Sequence, residues 1–299
     1  MKTFAAITTL SFVNIALSLP TKRGVSDTHI LNFALNLEYL QVDFYKQAVA
    51  QFPQTAFRDA GEPDWVYGRL QQMHDHDSTH AMFLSTALKT AGVSAVSPCD
   101  FIFSFTDARS VIEQATTLKS ITTAAYNGAL RLLNNRDYAS IAASMMAVEA
   151  RHDSWLNGAV LQRSAWTTAF EASLGPSQAF SALLSYIKSC PASNSPLLPG
   201  LNRFPALSLS NIYPGQTATV SFSVPNAPNR QLFAAFISGA GKPTFVPLEE
   251  NNTRVKVPDN LFGRVFCVIT SDGGRADDEV TVAGPSLVEL QFNANGQLV

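Results

Sequence analysis

Two pairs of an acid and a histidine, each three residues apart, lie in separate helical stretches of this chain. Glu149 and His152 form one pair, and Asp77 and His80 form the other. Residues at this spacing share one face of an α-helix, so each pair offers a carboxylate and an imidazole to a single ion. Two such pairs, joined by acids from two further helices, are typical of a di-metal carboxylate site inside a four-helix bundle.

Four long stretches around these pairs have the apolar spacing of helices. Apolar residues recur in them at three- and four-residue intervals, and proline, glycine or a polar cap bounds each stretch. The predicted helices run from Ser26 or Asp27 to just before Pro53, from about Asp64 to Thr90, from Thr106 or Asp107 to Asn134, and onward from Asp137.

The lengths of the connections predict how these helices are arranged. Only residues 134–136 separate the third helix from the fourth, and so short a turn forces antiparallel neighbours. The long segment 93–105 allows the second and third helices to run in parallel. A single long crossover of this kind is the topology of a ferritin-like four-helix bundle, which we assign to residues 24–192. A fifth, shorter helix from Ser177 to Ser189 is predicted to pack across one end of the bundle.

The composition changes near residue 193. Residues 193–203 are rich in proline, serine and asparagine and are interpreted as a linker. Residues 204–299 contain short β-type runs separated by turn residues, among them 217–224, 232–237 and 265–270. This pattern predicts a C-terminal all-β, sandwich-like domain. It contains no catalytic set of residues, so we interpret it as a packing or adhesion module with a cell-wall or protein partner.

The N-terminus has the pattern of a secretory signal. Lys2 precedes an apolar run from Phe4 to Leu17, and small residues follow it, which predicts a signal peptide over residues 1–18. The run is too short to span a bilayer, so no transmembrane anchor is expected. Residues 19–23 end in the dibasic pair Lys22-Arg23, either a propeptide processing site or two solvated charges in a linker. We therefore expect an extracellular protein.

The net charge of the chain limits which partners it can bind, and its three cysteines are interpreted in the light of the expected compartment. A formal charge of -2 and a pI near 6.2 give no field that would attract nucleic acid or an anionic membrane, so neither is expected as a partner. In an oxidising compartment, Cys99 and Cys190 are predicted to form a disulfide that joins the helix crossover to the end of the helical domain. Cys267, in a β-type run, is predicted to be a buried free thiol.

The candidate metal ligands come from three of the predicted helices. Glu38 lies among apolar residues of the first helix and is expected to face inward. With the two acid–histidine pairs, the predicted ligand set is Glu38, Asp77, His80, Glu149 and His152. His74 and His76 flank Asp77 and are expected at the surface or the rim of the bundle.

Three runs of sequence carry a resemblance to a known family. LNLEYLQVDFY (35–45), AAYNGAL (124–130) and VEARHDSWL (148–156) resemble the ferritin-like desiccation-related proteins, especially their secreted fungal branch of stress-response and late-sexual-development proteins. The resemblance covers residues 24–191 and, more weakly, the linker and β-module. It implies a ferritin-like bundle with a di-metal carboxylate centre. The five predicted ligands match the family's motif, with Asp77 where the family usually has glutamate.

The third helix departs from that family pattern. Seven residues ahead of Tyr126, where the family usually has glutamate, this chain has Lys119. Glu113 cannot replace the missing acid, because six residues along a helix place it about 100° from the face of Lys119. Three carboxylates and one ammonium leave two net negative charges, which one divalent ion balances. We predict one divalent metal (Fe, Mn or Zn) or none, with Lys119 paired to Glu38, Glu149 or Asp77.

Two functions are consistent with these residues. The first is a secreted stress- or development-associated protein whose di-metal carboxylate site is degenerate. The alternative is an enzyme that uses the bundle cavity on a small organic substrate, either through one metal or through metal-free acid/base chemistry of Lys119 with its acidic neighbours. The candidate catalytic residues are Lys119 and Tyr126. An open cavity beside Lys119 would favour the enzyme, and a sealed cluster would favour the stress protein.

Overall fold

The protein is described here by a computed structural model covering residues 26–224, 230–239 and 241–299. The predicted signal peptide (1–18) and propeptide (19–23) lie outside the described residues. Within these ranges, no helix has both the length and the apolar character required to cross a bilayer.

Six α-helices form the first part of the described chain. Local capping explains where the long ones begin: Ser26 accepts a hydrogen bond from the backbone N–H of His29, and Asp107 accepts one from that of Ser110. Asn135 caps the fourth long helix in the same way. The helices are α1 (Asp27–Gln51), α2 (Gln54–Asp59), α3 (Trp65–Thr90), α4 (Ala108–Leu130), α5 (Arg136–Trp155) and α6 (Pro176–Ala182).

The four long helices pack as two neighbouring pairs, α1 along α3 and α4 along α5. Helix α4 is buried on most of its surface, with polar positions as well as apolar ones inside. The crossover from α3 to α4 is fixed by the predicted disulfide, which is present between Cys99 and Cys190. Helix α5 continues directly into a π-helical turn, Leu156–Val160. The expected ferritin-like bundle is therefore observed.

Seven strands follow the helical part, in two antiparallel sheets. One sheet has the order β3-β4-β7 and the other β6-β5-β8-β9. Two short strands, β1 (Asp100–Phe101) and β2 (Ile187–Ser189), pair inside the helical part. The seven are β3 (Leu207–Ser210), β4 (Thr217–Phe222), β5 (Phe233–Ile237), β6 (Thr244–Pro247), β7 (Arg254–Lys256), β8 (Gly263–Thr270) and β9 (Thr281–Leu290).

Both faces of the four-stranded sheet are covered. Along β8, Val265 and Cys267 belong to the apolar core between the two sheets, whereas Phe266 and Val268 belong to the core of the helical bundle. Successive residues of a strand point to opposite faces, so this alternation places the sheet between the helices and the smaller sheet. Cys267 is a buried free thiol, as predicted. The sandwich-like domain is therefore docked on the bundle through an apolar sheet face.

The prediction of a fifth helix over 177–189 is wrong in its length. Helix α6 ends at Ala182, a single 3-10 turn spans Leu184–Tyr186, and the chain then becomes strand β2. The pairing of β2 with β1 and the disulfide at Cys190 hold this segment extended. These contacts are distant in sequence and outweigh the local helical pattern.

Candidate metal centre

Side chains from all four long helices converge inside the bundle. Helix α1 contributes Glu38, α3 contributes Asp77 and His80, α4 contributes Lys119, and α5 contributes Glu149. The three acids and the lysine have no solvent-exposed surface. The i, i+3 spacing of Asp77 and His80 directs both to the same face of α3, as expected from the sequence.

Lys119 forms the centre of this cluster. Its Nζ donates hydrogen bonds to Oδ1 and Oδ2 of Asp77, at 2.9 and 2.8 Å, and to Oε2 of Glu149, at 2.8 Å. Burial lowers the pKa of Lys119, but the charges of Asp77 and Glu149 outweigh burial and raise that pKa above its ordinary value. The expected ion pair of Lys119 is therefore present, with two acids at once.

On the other side of Glu149 is a second group of donor atoms. His80 Nδ1 lies 3.4 Å from Glu149 Oε1 and 3.6 Å from Glu38 Oε2. Among the described residues, neither His80 Nδ1 nor Glu149 Oε1 has a hydrogen-bond partner, although both atoms are buried. One ligand atom from each of Glu38, Asp77, His80 and Glu149 can be chosen so that all lie within 4.8 Å of one another.

The charges of this second group depend on one another. Burial lowers the pKa of His80, but the carboxylates of Glu149 and Glu38 outweigh burial and raise it to about 10. Burial raises the pKa of Glu149, but Lys119 and His80 hold it well below its usual range. Burial and the nearby Glu149 raise the pKa of Glu38. In the absence of metal, His80 is therefore a cation and Glu149 an anion at neutral pH.

Two tyrosines and a glutamine surround the cluster. Tyr126 donates a 2.5 Å hydrogen bond to Glu38 Oε1, and Gln41 Nε2 lies 3.5 Å from Glu38 Oε2. The ring of Tyr45 lies 5.5 Å from Lys119 Nζ, within range of a cation–π contact. Tyr45, Tyr126 and Gln41 are all buried. This packing isolates the acids and Lys119 from water, whereas the side chain of His80 is 13% exposed.

His152 lies away from the group of donor atoms around His80. Its Nε2 is 3.0 Å from Nδ1 of His76, and the two rings stack with centroids 5.2 Å apart. Burial, together with the charge of Lys119, lowers the pKa of His152 to about 3, so this imidazole is neutral. His76 is exposed, in agreement with its predicted position at the surface or the rim of the bundle. The structure thus brings four of the five predicted ligands together and places His152 against His76.

The residues present fit one divalent ion better than two. A second ion would need Asp77 and Glu149 as ligands, but the ammonium of Lys119 already contacts both, and the two positive charges would repel each other. Glu38 Oε2, His80 Nδ1 and Glu149 Oε1 remain as an oxygen and nitrogen donor set of the kind that iron, manganese and zinc accept. His80 Nδ1 and Glu149 Oε1 lie 3.4 Å apart, are buried and have no hydrogen-bond partner among the described residues, which supports one ion between them.

A second polar cluster, which was not predicted, joins the bundle to the sandwich. Arg264 of β8 donates hydrogen bonds from Nη1 to Ser120 Oγ and to Asp153 Oδ1. Its Nε lies 3.5 Å from Glu289. Asp153 directly follows His152, and Ser120 directly follows Lys119, so this cluster lies one residue beyond the metal centre on both helices. The one feature of the sequence that could have indicated this cluster is Asp153, the acid that follows the Glu-x-x-His motif.

The helical region matches a known domain. Residues 26–162 match the family model described as "Ferritin-like domain". With the arrangement of carboxylates, histidines and lysine above, this defines the first part of the chain as a ferritin-like bundle, to which the β-sandwich is attached.

Similarity to individual proteins is more distant. The chain is 27% identical to "Protein rds1" from Schizosaccharomyces pombe over 216 residues. This matched stretch covers 71% of this chain and 52% of the S. pombe protein. The chain therefore spans about half the length of this curated relative. The chain is also similar to a solved structure, that of the conserved hypothetical protein rv2844 from Mycobacterium tuberculosis, with 13% sequence identity and a TM-score of 0.38. The match covers 44% of this chain and 97% of the M. tuberculosis chain.

Proposed function

We propose that this chain is an extracellular, stress- or development-associated protein whose ferritin-like bundle holds at most one divalent ion. The observation that carries the proposal is the position of Lys119 Nζ, within 2.9 Å of three carboxylate oxygens at the core of the bundle. A positive side chain there takes the place of a second metal ion. The stress or development role rests on the family resemblance of the three sequence runs.

Charge balance supports a limit of one ion. Two divalent ions with four carboxylates are neutral, but this cluster has three carboxylates and one ammonium, which leaves two negative charges. Uncompensated charge in a buried site is strongly unfavourable, so the cluster accepts either one divalent ion or protons. Glu38, His80 and Glu149 would hold the ion. When bound, it would supply Lewis acidity and bridge α1, α3 and α5.

The burial of the cluster supports a structural role over catalysis. Lys119 has no exposed surface. Tyr126 is 2% exposed, and its hydroxyl already donates a hydrogen bond to Glu38. A small organic substrate would have to displace this packing to reach either residue. The alternative function, acid/base chemistry by Lys119 and Tyr126, therefore has less support than a sealed polar centre.

The extracellular location has independent support from the disulfide. Cys99 and Cys190 are bonded, and such bonds persist in oxidising compartments and are rare in the cytosol. We further propose that the β-module is the part that meets a cell-wall or protein partner. The face of its four-stranded sheet that packs on the bundle is covered, so the partner would bind elsewhere on the module.

Elemental analysis tests the limit of one ion. The parent protein, purified without chelators, is expected to hold one equivalent of divalent metal or none. Lys119→Glu restores the missing acid and is expected to hold two. Lys89→Glu, the same change at an exposed position near the end of α3, is the matched control and should behave as the parent does. Two equivalents in the parent would refute the proposal.

A further inference from the structure

The turn between strands β6 and β7 contains a glycosylation sequon. Asn251-Asn252-Thr253 has an asparagine, then a residue other than proline, then a threonine, which is the acceptor pattern for N-linked glycans. Elsewhere in the 299 residues this pattern does not occur. Chains that enter the secretory pathway meet the transferase that uses this pattern. A glycan at this turn therefore rests on the proposed extracellular location.

Asn251 lies at the exposed tip of the turn. Glu250, Asn251 and Asn252 all have left-handed backbone conformations, with φ of 47°, 59° and 67°. Asparagine adopts this conformation more readily than most residues, so an amide side chain at the tip suits the backbone. Among the described residues, no hydrogen bond engages the side chain of Asn251. Its amide nitrogen is therefore able to carry a substituent.

The turn is held by hydrogen bonds that do not involve the side chain of Asn251. The N–H of Glu249 donates to the carbonyl of Arg254, at 2.9 Å, and the N–H of Thr253 donates to the carbonyl of Glu249, at 3.1 Å. The hydroxyl of Thr253 donates to the carbonyl of Glu250, at 2.6 Å. A substituent on Nδ2 of Asn251 therefore leaves these hydrogen bonds intact.

The position of the turn in the sandwich leaves room for a bulky group. Strand β6 is an edge of the four-stranded sheet, and β7 is an edge of the three-stranded sheet. The turn thus leads from the sheet that contacts the bundle to the outer sheet. A cleft of about 360 Å³, lined by residues 230–231 and 248–252, opens beside Asn251. The first sugar residue has space there, and the rest of a glycan would extend over the β6 and β7 edge.

We propose that Asn251 carries an N-linked glycan, added by the oligosaccharide transferase of the secretory pathway. The donor is an oligosaccharide joined through its anomeric carbon to a lipid diphosphate. Nδ2 of Asn251 attacks that carbon, so a bond forms between nitrogen and carbon while the bond from carbon to the diphosphate oxygen breaks. The diphosphate leaves with the electron pair, and one of the two amide protons passes to a base of the transferase. No atom changes oxidation state.

The glycan would cover one edge of the β-module. Exposed strand edges have unpaired N–H and C=O groups that can pair with another chain, and a bulky, solubilising group blocks such pairing. The bundle already covers one face of the four-stranded sheet. The outer face of the three-stranded sheet then remains for the cell-wall or protein partner of the module.

Mass spectrometry of the secreted protein tests the site. The chain from residue 19 onward is expressed in a eukaryotic secretion host behind the leader of another protein, so that entry does not depend on residues 1–18. Peptide N-glycosidase F in heavy-oxygen water converts a glycosylated asparagine to an aspartate that contains the heavy oxygen. This label at Asn251, with a fall in the mass of the intact protein, supports the proposal. Secreted protein without the label at Asn251 overturns it.

Variants of the sequon identify what the transferase reads. Thr253→Ala is expected to lose the glycan, whereas Thr253→Ser keeps a hydroxyl at that position and is expected to retain it. Asn251→Gln is expected to lose the glycan, because glutamine is not an acceptor. Asn252→Gln is the matched control, since it makes the same change at the next left-handed position and leaves the sequon intact. A glycan that persists in Thr253→Ala and Asn251→Gln would overturn the assignment to Asn251.

Expression of residues 1–299 with their own N-terminus tests the proposed location separately. Appearance of this protein in the medium supports an extracellular function, and its retention in the cytosol contradicts that function. The chain with the foreign leader still decides whether Asn251 is the acceptor. The two proposals can therefore fail independently.

Discussion

Arg264 of strand β8 and Asp153 of helix α5 form a 2.5 Å charged hydrogen bond across the contact between sandwich and bundle. The side chains of Arg264 and Asp153 are 9% and 17% exposed. Burial raises the pKa of Asp153, and the charge of Arg264 opposes that rise. The ionised form of Asp153 therefore depends on a residue of the other domain, which makes the pair a direct probe of how the domains are coupled.

Removing Arg264 should destabilise the bundle as well as the sandwich. Arg264→Met leaves Asp153 without its charged partner in a mostly buried site, at an expected cost of about 2–4 kcal/mol. The measurement is urea denaturation followed by intrinsic fluorescence. Arg254→Met is the control, because Arg254 lies 4.0 Å from Glu250 in a largely exposed pair and the expected change is below about 1 kcal/mol. Equal effects of the two substitutions would contradict the coupling.

Tyr126 is expected to matter through one hydrogen bond. Tyr126→Phe removes the 2.5 Å donor to Glu38 Oε1 and leaves a buried acceptor without it, at an expected cost of about 1–3 kcal/mol. Tyr45→Phe is the matched change, since its hydroxyl donates only to the sulfur of Met73, at 3.4 Å, and should cost less. Thermal denaturation of both variants at pH 7 checks this order. A larger loss for Tyr45→Phe would contradict it.

The stabilising effect of His80 should disappear at alkaline pH. Its pKa in the folded protein is about 10, above the ordinary 6.5, so its contribution is complete below pH 6.5 and is lost as the pH rises through 10. The stability difference between the parent and His80→Gln should therefore shrink by up to about 1.4 kcal/mol per pH unit across that window. Denaturation of metal-free protein at several pH values measures it. A difference that does not change with pH would exclude a charged His80.

Some of the metal centre could be predicted from spacing alone, and some could not. The i, i+3 pairs are local, and helix geometry predicted that each acid and histidine share a face. The place of Lys119 among the acids came from the family resemblance, because the family usually has glutamate seven residues ahead of Tyr126. The direction of His152 could not be predicted, because its partner His76 is 76 positions away and the choice depends on how α3 and α5 pack. Arg264 was missed for the same reason, since its contact with Asp153 requires the docked sheet.

The fold shows the same division. Helices α1, α3, α4 and α5 have amphipathic periods and local caps, and the sequence predicted all four. The end of α6 and the short strands β1 and β2 depend on pairing between segments that are far apart in sequence. Strands β3 and β6 have four residues each, too few for a period-two pattern to be distinguished from a loop.

The stabilising effect of a neutral His152 should be lost in acid. Its pKa in the folded protein is about 3, below the ordinary 6.5, so the unfolded chain binds a proton first and stability falls as the pH drops from 6.5 towards 3. His152→Gln, which cannot take up that proton, should show a weaker fall by up to about 1.4 kcal/mol per pH unit. Thermal denaturation between pH 4 and 7 gives both slopes. If His152→Gln kept the parental slope, His152 would take up its proton equally in the folded and the unfolded protein, and its contact with His76 would have to be weaker than the 3.0 Å separation implies.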